Sequence, residues 1–377
     1  MKIAIMGIRG IPAKYSGFET FVEELAPRLV QRGHSVTVYG RSNVIDYKDK
    51  YFKGVKLIVL TTISHKYLDT VVHTFLSAIH CCFYKYDVVF ILNAANSPFT
   101  FIPRLTGKKV VLNVDGIERL RKKWNRVGKL YCRIGEYLAT KLPDIIVSDA
   151  EVIRKYYLET FKKESTMITY GANTEKVNSK EIIEKLNLAP YSYILYVSRL
   201  EPENNAHIVI EAFKGVKTEK KLVIVGGAPY AARYKQRLKE MADDDPRIIF
   251  TGFVFGKGYK ELQSHTYCYV QATEVGGTHP ALIEAMGFGN CIVANGTEEN
   301  IEVLNETGLI YKKNDIKDLR EKLQYVIDHQ SIIQYYGEKA QRRIKQYYSW
   351  EVITDKYENL FLQLVKYSNT FNLSKLS

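Results

Sequence analysis

Lys2-Ile3-Ala4-Ile5-Met6-Gly7-Ile8-Arg9-Gly10-Ile11-Pro12 opens the chain, and Ser16-Gly17-Phe18-Glu19 follows shortly after it. The apolar run Lys2–Met6 reads as a strand that stops at a glycine, and the turn-rich loop behind it leads into a helix. Ser16 with Glu19 three residues on has the pattern of a capping box, which sets the helix start near Gly17. Phe18, Phe21, Val22, Leu25 and Leu29 then recur at helical spacing. Gly33-His34 stops the helix, and residues 35–39 read as a second strand. Strand, loop, helix and strand in this order seed a parallel sheet, because parallel neighbours need a crossover between them.

Outward from this unit, apolar runs at residues 55–60, 87–92, 109–113 and 144–148 predict further strands, with helical stretches between several of them. A second series starts afresh at 193–198, 221–225, 247–250, 268–272 and 291–294, again separated by helical segments such as 230–242. Two consecutive series predict an α/β protein of two doubly wound, Rossmann-like domains, residues 1–170 and 171–349, joined through the region 171–190. The last helical stretch, 350–367, carries Val352, Tyr357, Leu360, Phe361 and Leu364 and can pack on either domain. Ligands of open parallel sheets bind at the carboxyl ends of the strands. Two such domains facing each other would therefore make a cleft suited to a two-substrate transfer.

The 377 residues exceed what one ordinary core needs, and the 46% apolar and 25% charged fractions are those of a soluble globular chain. No apolar run reaches the roughly 20 residues that span a bilayer. The amino-terminal run has no cleavage-type site, so the chain is expected in the cytoplasm. Cys81, Cys82, Cys132, Cys268 and Cys291 form no CxxC pair and no zinc-type spacing, which fits a reducing compartment. A net charge of +13 predicts an anionic partner: nucleic acid, an acidic membrane surface or a phosphorylated substrate.

Five stretches can carry chemistry. The loop with Gly7, Arg9, Gly10, Ser16 and Gly17 precedes a helix amino end and can cradle a phosphate or an acceptor. It matches neither GxGxxG nor a P-loop, and Arg41 stands where a dinucleotide site needs an acid; the plain alternative is a tight first turn. In Glu274-Val275-Gly276-Gly277-Thr278-His279-Pro280, paired glycines expose amides, Thr278 or His279 can cap, and Pro280 suits a first turn. The helix end would point at a diphosphate, with Glu284 one turn in to accept from ribose hydroxyls; the alternative is an ordinary capped helix. Arg199, just past a strand, can grip phosphate oxygens, unless it pairs on the surface with Glu201 or Glu203. Asp115 and Glu118 follow a strand of the first domain and can orient or deprotonate a hydroxyl, or else sit in a solvated turn. Arg119, Arg121, Lys122, Lys123, Arg126, Lys129 and Arg133, with Trp124 and Tyr131, can meet anionic lipid or a lipid diphosphate. A solvated helix face and RNA binding are the alternatives there, the latter without a standard signature. Asp243-Asp244-Asp245 resembles a DxD metal motif but falls in a polar turn before Pro246, so no metal is expected.

Together these residues resemble the retaining GT-B glycosyltransferases of family 4, most closely the subgroup with bacterial rhamnosyltransferases of polysaccharide assembly. The resemblance runs over nearly the whole chain and is carried by residues 7–20, 113–118, 199–205 and 274–289. It implies two domains with a cleft, and a final helix, starting at Ser349-Trp350-Glu351, that crosses back to the first. It places the nucleotide sugar in the second domain, with Arg199 on the diphosphate, Glu284 on the ribose, and Gly276, Gly277, Thr278 and His279 along sugar and phosphate. Asn204 and Glu274 join this donor set, and Asp115 with Glu118 become the catalytic candidates of an acceptor-binding first domain. Three departures stand out. Gly276 replaces a usual glutamate, for which Glu274 is the nearest acid; Asn204 replaces a lysine; and no first-domain histidine is evident. The implied reaction moves L-rhamnose from dTDP-β-L-rhamnose to a lipid-diphosphate-linked saccharide at the inner face of the plasma membrane, without metal or cofactor. A UDP- or GDP-sugar donor, or a non-catalytic protein for anionic lipid or RNA, are the alternatives.

Overall fold

In the computed structural model, residues 1–13, 17–65, 68–121, 124–228 and 231–373 are described, with the backbone alone for 367–373. Ser16, Lys122 and Lys123 lie outside the described residues. The chain divides into two compact units, Met1–Tyr170 with Trp350–Ser377, and Gly171–Ser349.

In the first unit the strands are β1 (Lys2–Met6), β2 (Ser35–Arg41), β3 (Tyr51–Phe52), β4 (Val55–Leu60), β5 (Val88–Leu92), β6 (Lys109–Asn113), β7 (Ile145–Ser148) and β8 (Thr166–Met167). They form one sheet in the order β3-β4-β2-β1-β5-β6-β7-β8, parallel except for the β3–β4 pair. The central β5 is buried at every position, as expected of a parallel strand covered on both faces. Four helices of this unit matter below: α1 (Gly17–Gln31), α2 (Asp69–Cys82), α3 (Phe101–Leu105) and α4 (Arg126–Ala139).

The helix Trp350–Leu373 belongs to this unit although it is last in the chain. Its buried Trp350, Tyr357 and Phe361 meet Phe21 of α1 and Phe90 of β5, with ring centroids 5.2–6.1 Å apart. Burying one such ring stabilises by roughly 1.5–3 kcal/mol. Arg32 adds contacts to Glu351, Asp355 and Glu358 at 3.1, 2.6 and 2.8 Å. The helix therefore has one docking site, where its apolar pattern alone allowed two.

The second unit holds β9 (Tyr193–Val197), β10 (Lys221–Val225), β11 (Ile248–Gly252), β12 (Cys268–Gln271), β13 (Ile292–Asn295) and β14 (Leu309–Tyr311) in a wholly parallel sheet ordered β11-β10-β9-β12-β13-β14. Counted within the unit this is 3-2-1-4-5-6, the doubly wound order, and β4-β2-β1-β5-β6-β7 repeats it in the first unit. The order reverses between β9 and β12, and between β1 and β5. Among the described residues no helix is long and apolar enough to cross a membrane.

Candidate active site

Two loops leave the second sheet where its strand order reverses, one after β9 and one after β12. Gly226 at the end of β10 has φ +137°, and a Cβ there would lie 1.8 Å from the Ser198 carbonyl oxygen. Only glycine lets these strand ends close together. Arg199 follows β9 and is half-buried. The Glu274 amide donates to the Glu203 carbonyl at 3.0 Å and ties the two loops together. Glu274 also accepts from Asn314 Nδ2 at 2.6 Å, and Asn314 Oδ1 in turn accepts from Asn205 and Asn295 at 2.8 and 2.9 Å.

Past the second loop, the helix Pro280–Gly287 starts at a proline, with His279 at the N-cap position making no side-chain cap bond. A Cβ at Gly276 would touch the His279 ring at 2.7 Å, so a glutamate at that position would displace the imidazole. His279 Nε2 lies 3.9 Å from Glu299, whose carboxyl burial pushes up to about 7. Glu284 accepts from the Tyr259 hydroxyl at 2.6 Å, and Gln263 donates to that hydroxyl at 2.9 Å. A cation just past β9, a carboxylate just past β12, and the helix that follows with Glu284 in it thus stand beyond the strand ends where the order reverses.

In the first unit, Val114 N donates to Val147 O at 2.9 Å, so Asp115 and Asp149 leave adjacent parallel strands side by side. Side-chain hydrogen bonds link Asp115 to Asp149 and to Tyr170, and Asp149 and Tyr170 are buried. Burial raises the Asp115 carboxyl above its usual range, against the opposing pull of the Asp149 bond and the Arg121 charge.

Residues 178–347 match the family model of glycosyl transferases group 1, and residues 1–173 match a domain of unknown function, DUF1972. The second unit therefore carries a glycosyl transferases group 1 domain. An uncharacterized glycosyltransferase of Methanocaldococcus jannaschii is 26% identical to this chain over 256 residues, 64% of each chain. The lipopolysaccharide 1,2-N-acetylglucosaminetransferase of Salmonella typhimurium is 24% identical over 275 residues, 66% of this chain and 71% of that one. The matches span about two thirds of the length of these relatives. The structure of HepE from Anabaena in complex with UDP covers 96% of this chain and is itself covered completely, with TM-score 0.76 at 15% identity. That likeness is one of fold, the two-domain GT-B arrangement of parallel sheets.

In this chain several expected site residues have other work. Asn204 is buried and its amide donates to the Arg199 carbonyl at 2.6 Å, so it shapes the loop carrying Arg199 and does not replace a phosphate-binding cation. Glu118 accepts from Arg121 Nε at 2.8 Å and from Trp124 Nε1 at 3.1 Å, so each of its oxygens has a partner. Arg119 pairs with the buried Glu136 at 3.2 Å, so Arg119, Arg121 and Trp124 are drawn toward the protein, while Arg126 is exposed on α4. The glycines of the first loop make room for the chain itself: a Cβ at Gly7 would lie 2.4 Å from Leu92 O, and one at Gly10 would lie 2.8 Å from Ile45. Glu19 holds that loop through the Arg9 amide at 3.0 Å, and Gly17 starts α1. Asp244 and Asp245 pair with Lys214 and Arg247 at 2.6 and 2.7 Å. Asp149, Tyr170, Glu299 and Asn314 escaped the sequence reading, because each meets its partners only through the sheet.

Proposed function

We propose that this glycosyltransferase moves L-rhamnose from dTDP-β-L-rhamnose to a lipid-diphosphate-linked saccharide during assembly of a cell-surface polysaccharide. The placement of Arg199, Glu274, His279 and Glu284 beyond the strand-order reversal of the second unit supports transfer from a nucleotide sugar, and the choice of rhamnose rests on the resemblance alone. There Arg199 would neutralise the diphosphate, with Gly276, Gly277, Thr278 and the first-turn amides along its oxygens and Glu284 on the ribose. A guanidinium and a helix end together offset the charge that grows on the leaving diphosphate, so transfer would proceed without a metal. In the first unit Asp115, held by Asp149 and Tyr170, would orient the acceptor hydroxyl and take its proton. Retention of configuration and work at the inner face of the plasma membrane follow from the resemblance, and the lipopolysaccharide enzyme among the relatives supports the polysaccharide context.

UDP in the HepE structure favours one second reading, a UDP-sugar donor. Calorimetry of the purified chain against dTDP-, UDP- and GDP-sugars without added metal separates the two. Binding selective for dTDP-rhamnose and lost in Arg199→Ala is the expected result. Selective UDP- or GDP-sugar binding would discard rhamnose, and no binding by folded protein would discard transfer in favour of a non-catalytic protein.

A further inference from the structure

Three helices of the first unit turn apolar side chains outward, where water normally selects polar ones. α2 exposes Phe75 and Ile79, and Phe83 just past its end is 81% exposed. α3 exposes Phe101 and Leu105, the latter at 78%. On α4 the residues Val127, Leu130, Ile134 and Tyr137 are 74, 61, 48 and 53% exposed, and their spacing sets them in one stripe. Arg126, Lys129 and Arg133 flank that stripe, one position earlier each time, and are exposed too. The acid of this helix, Glu136, is buried, so its exposed positions carry cations and no carboxylate.

The three helices are neighbours. Phe75 of α2 meets Phe99 with ring centroids 5.8 Å apart, and α2 and α3 are joined through the Cys82 thiol and the Ile102 carbonyl. On the other side Ser97 Oγ donates to Gly135 O at 2.6 Å and Tyr131 to Ala95 O at 2.8 Å, which seats α4 on residues 94–99.

We infer that this face docks on an anionic bilayer surface. α4 lies in the interface plane, with Leu130 and Ile134 among the acyl chains and Arg126 and Lys129 at the headgroup phosphates. Charge complementarity selects lipid over protein, since protein interfaces are poor in lysine and this stripe is lined by cations alone. At 14 residues α4 is about 21 Å long, enough to lie along the surface and too short to cross it. The contact differs from the one centred on Trp124 and Arg119, which face the protein. It fits a lipid-linked acceptor but rests on this surface and not on the donor.

Flotation of the full chain with vesicles of phosphatidylcholine, with and without phosphatidylglycerol, tests it. Binding to the anionic vesicles is expected, falling at least about tenfold in Leu130→Glu with Ile134→Glu. Arg126→Glu with Lys129→Glu should remove the preference for phosphatidylglycerol. If the glutamates unfold the chain, Leu130→Ser with Ile134→Ser should give a smaller drop in the same direction. No flotation of the wild-type chain, or equal flotation of folded variants, overturns the inference. So does a wild-type dimer that these substitutions make monomeric without any vesicle binding. Calorimetry with nucleotide sugars on the same variants should be unchanged, which keeps failure of docking apart from failure of the transfer reading.

Discussion

As the proposed base Asp115 would work only when ionised, and its burial places that ionisation above the ordinary carboxylate range. The hydrogen bond with Asp149 works the other way and favours the charged form of Asp115. Removing it in Asp149→Ala should therefore raise the Asp115 value further and move the acid limb of the pH–rate profile to higher pH. Asp149→Asn keeps a donor and should restore the limb; an unmoved limb in both variants would show that Asp149 does not position the base. Glu299 allows a stability test. Its carboxyl goes from an ordinary 4.5 to about 7 in the folded chain, because burial disfavours its charge. The cost is absent below the unfolded value, grows across that window and is complete above about 7, on the order of 3 kcal/mol. Glu299→Gln should melt higher than wild type at about pH 8 and lose that advantage at acid pH. A lower melting temperature at both would mean that His279 or Lys313 already balances the charge.

At the scale of elements, the returning helix does more than fill space. Its Tyr357 hydroxyl accepts from Asn113 Nδ2 at 3.3 Å, and Asn113 Oδ1 accepts the Asp115 amide at 2.9 Å, so the helix reaches the acid pair through one residue. Phe361→Ala should destabilise the first unit by about 3–5 kcal/mol, as truncation of a fully buried ring does. Both tryptophans, Trp124 and Trp350, lie in this unit, so urea denaturation followed by tryptophan fluorescence reads the change directly. A shift below about 1 kcal/mol would mean that the helix is not docked. The long apolar strands were legible because period and burial coincide in them. β3 and β8, with two residues each, and β14, with three, are too short to show a pattern. That His279 makes no side-chain cap bond was not legible either, since a polar residue before Pro280 reads as a cap whether or not its side chain bonds.

For the whole molecule, two consecutive α/β series announced two doubly wound sheets, and both sheets have the same strand order. Arg199 and Glu274 stand just past strands and Glu284 one turn into the helix that follows, positions visible in the sequence because the doubly wound order brings strand ends together. Charge was legible in amount but not in direction. Arg119 and Arg121 count toward the +13, yet Glu136 and Glu118 hold them against the protein, pairings that only the fold sets. The exposed apolar face escaped for the converse reason: Val127, Leu130 and Ile134 repeat at helical spacing, which ordinarily marks a core-facing side.

The placement of Trp350, Tyr357 and Phe361 also fixes an order of events during synthesis. The first unit leaves the ribosome first but lacks one wall of its aromatic core until the last residues appear, whereas Gly171–Ser349 emerges in one piece. Domains fold as they are made. The second unit can thus finish while Phe21 and Phe90 still wait for their partners, and a ribosome that stalls between the two leaves those rings uncovered for a chaperone to bind.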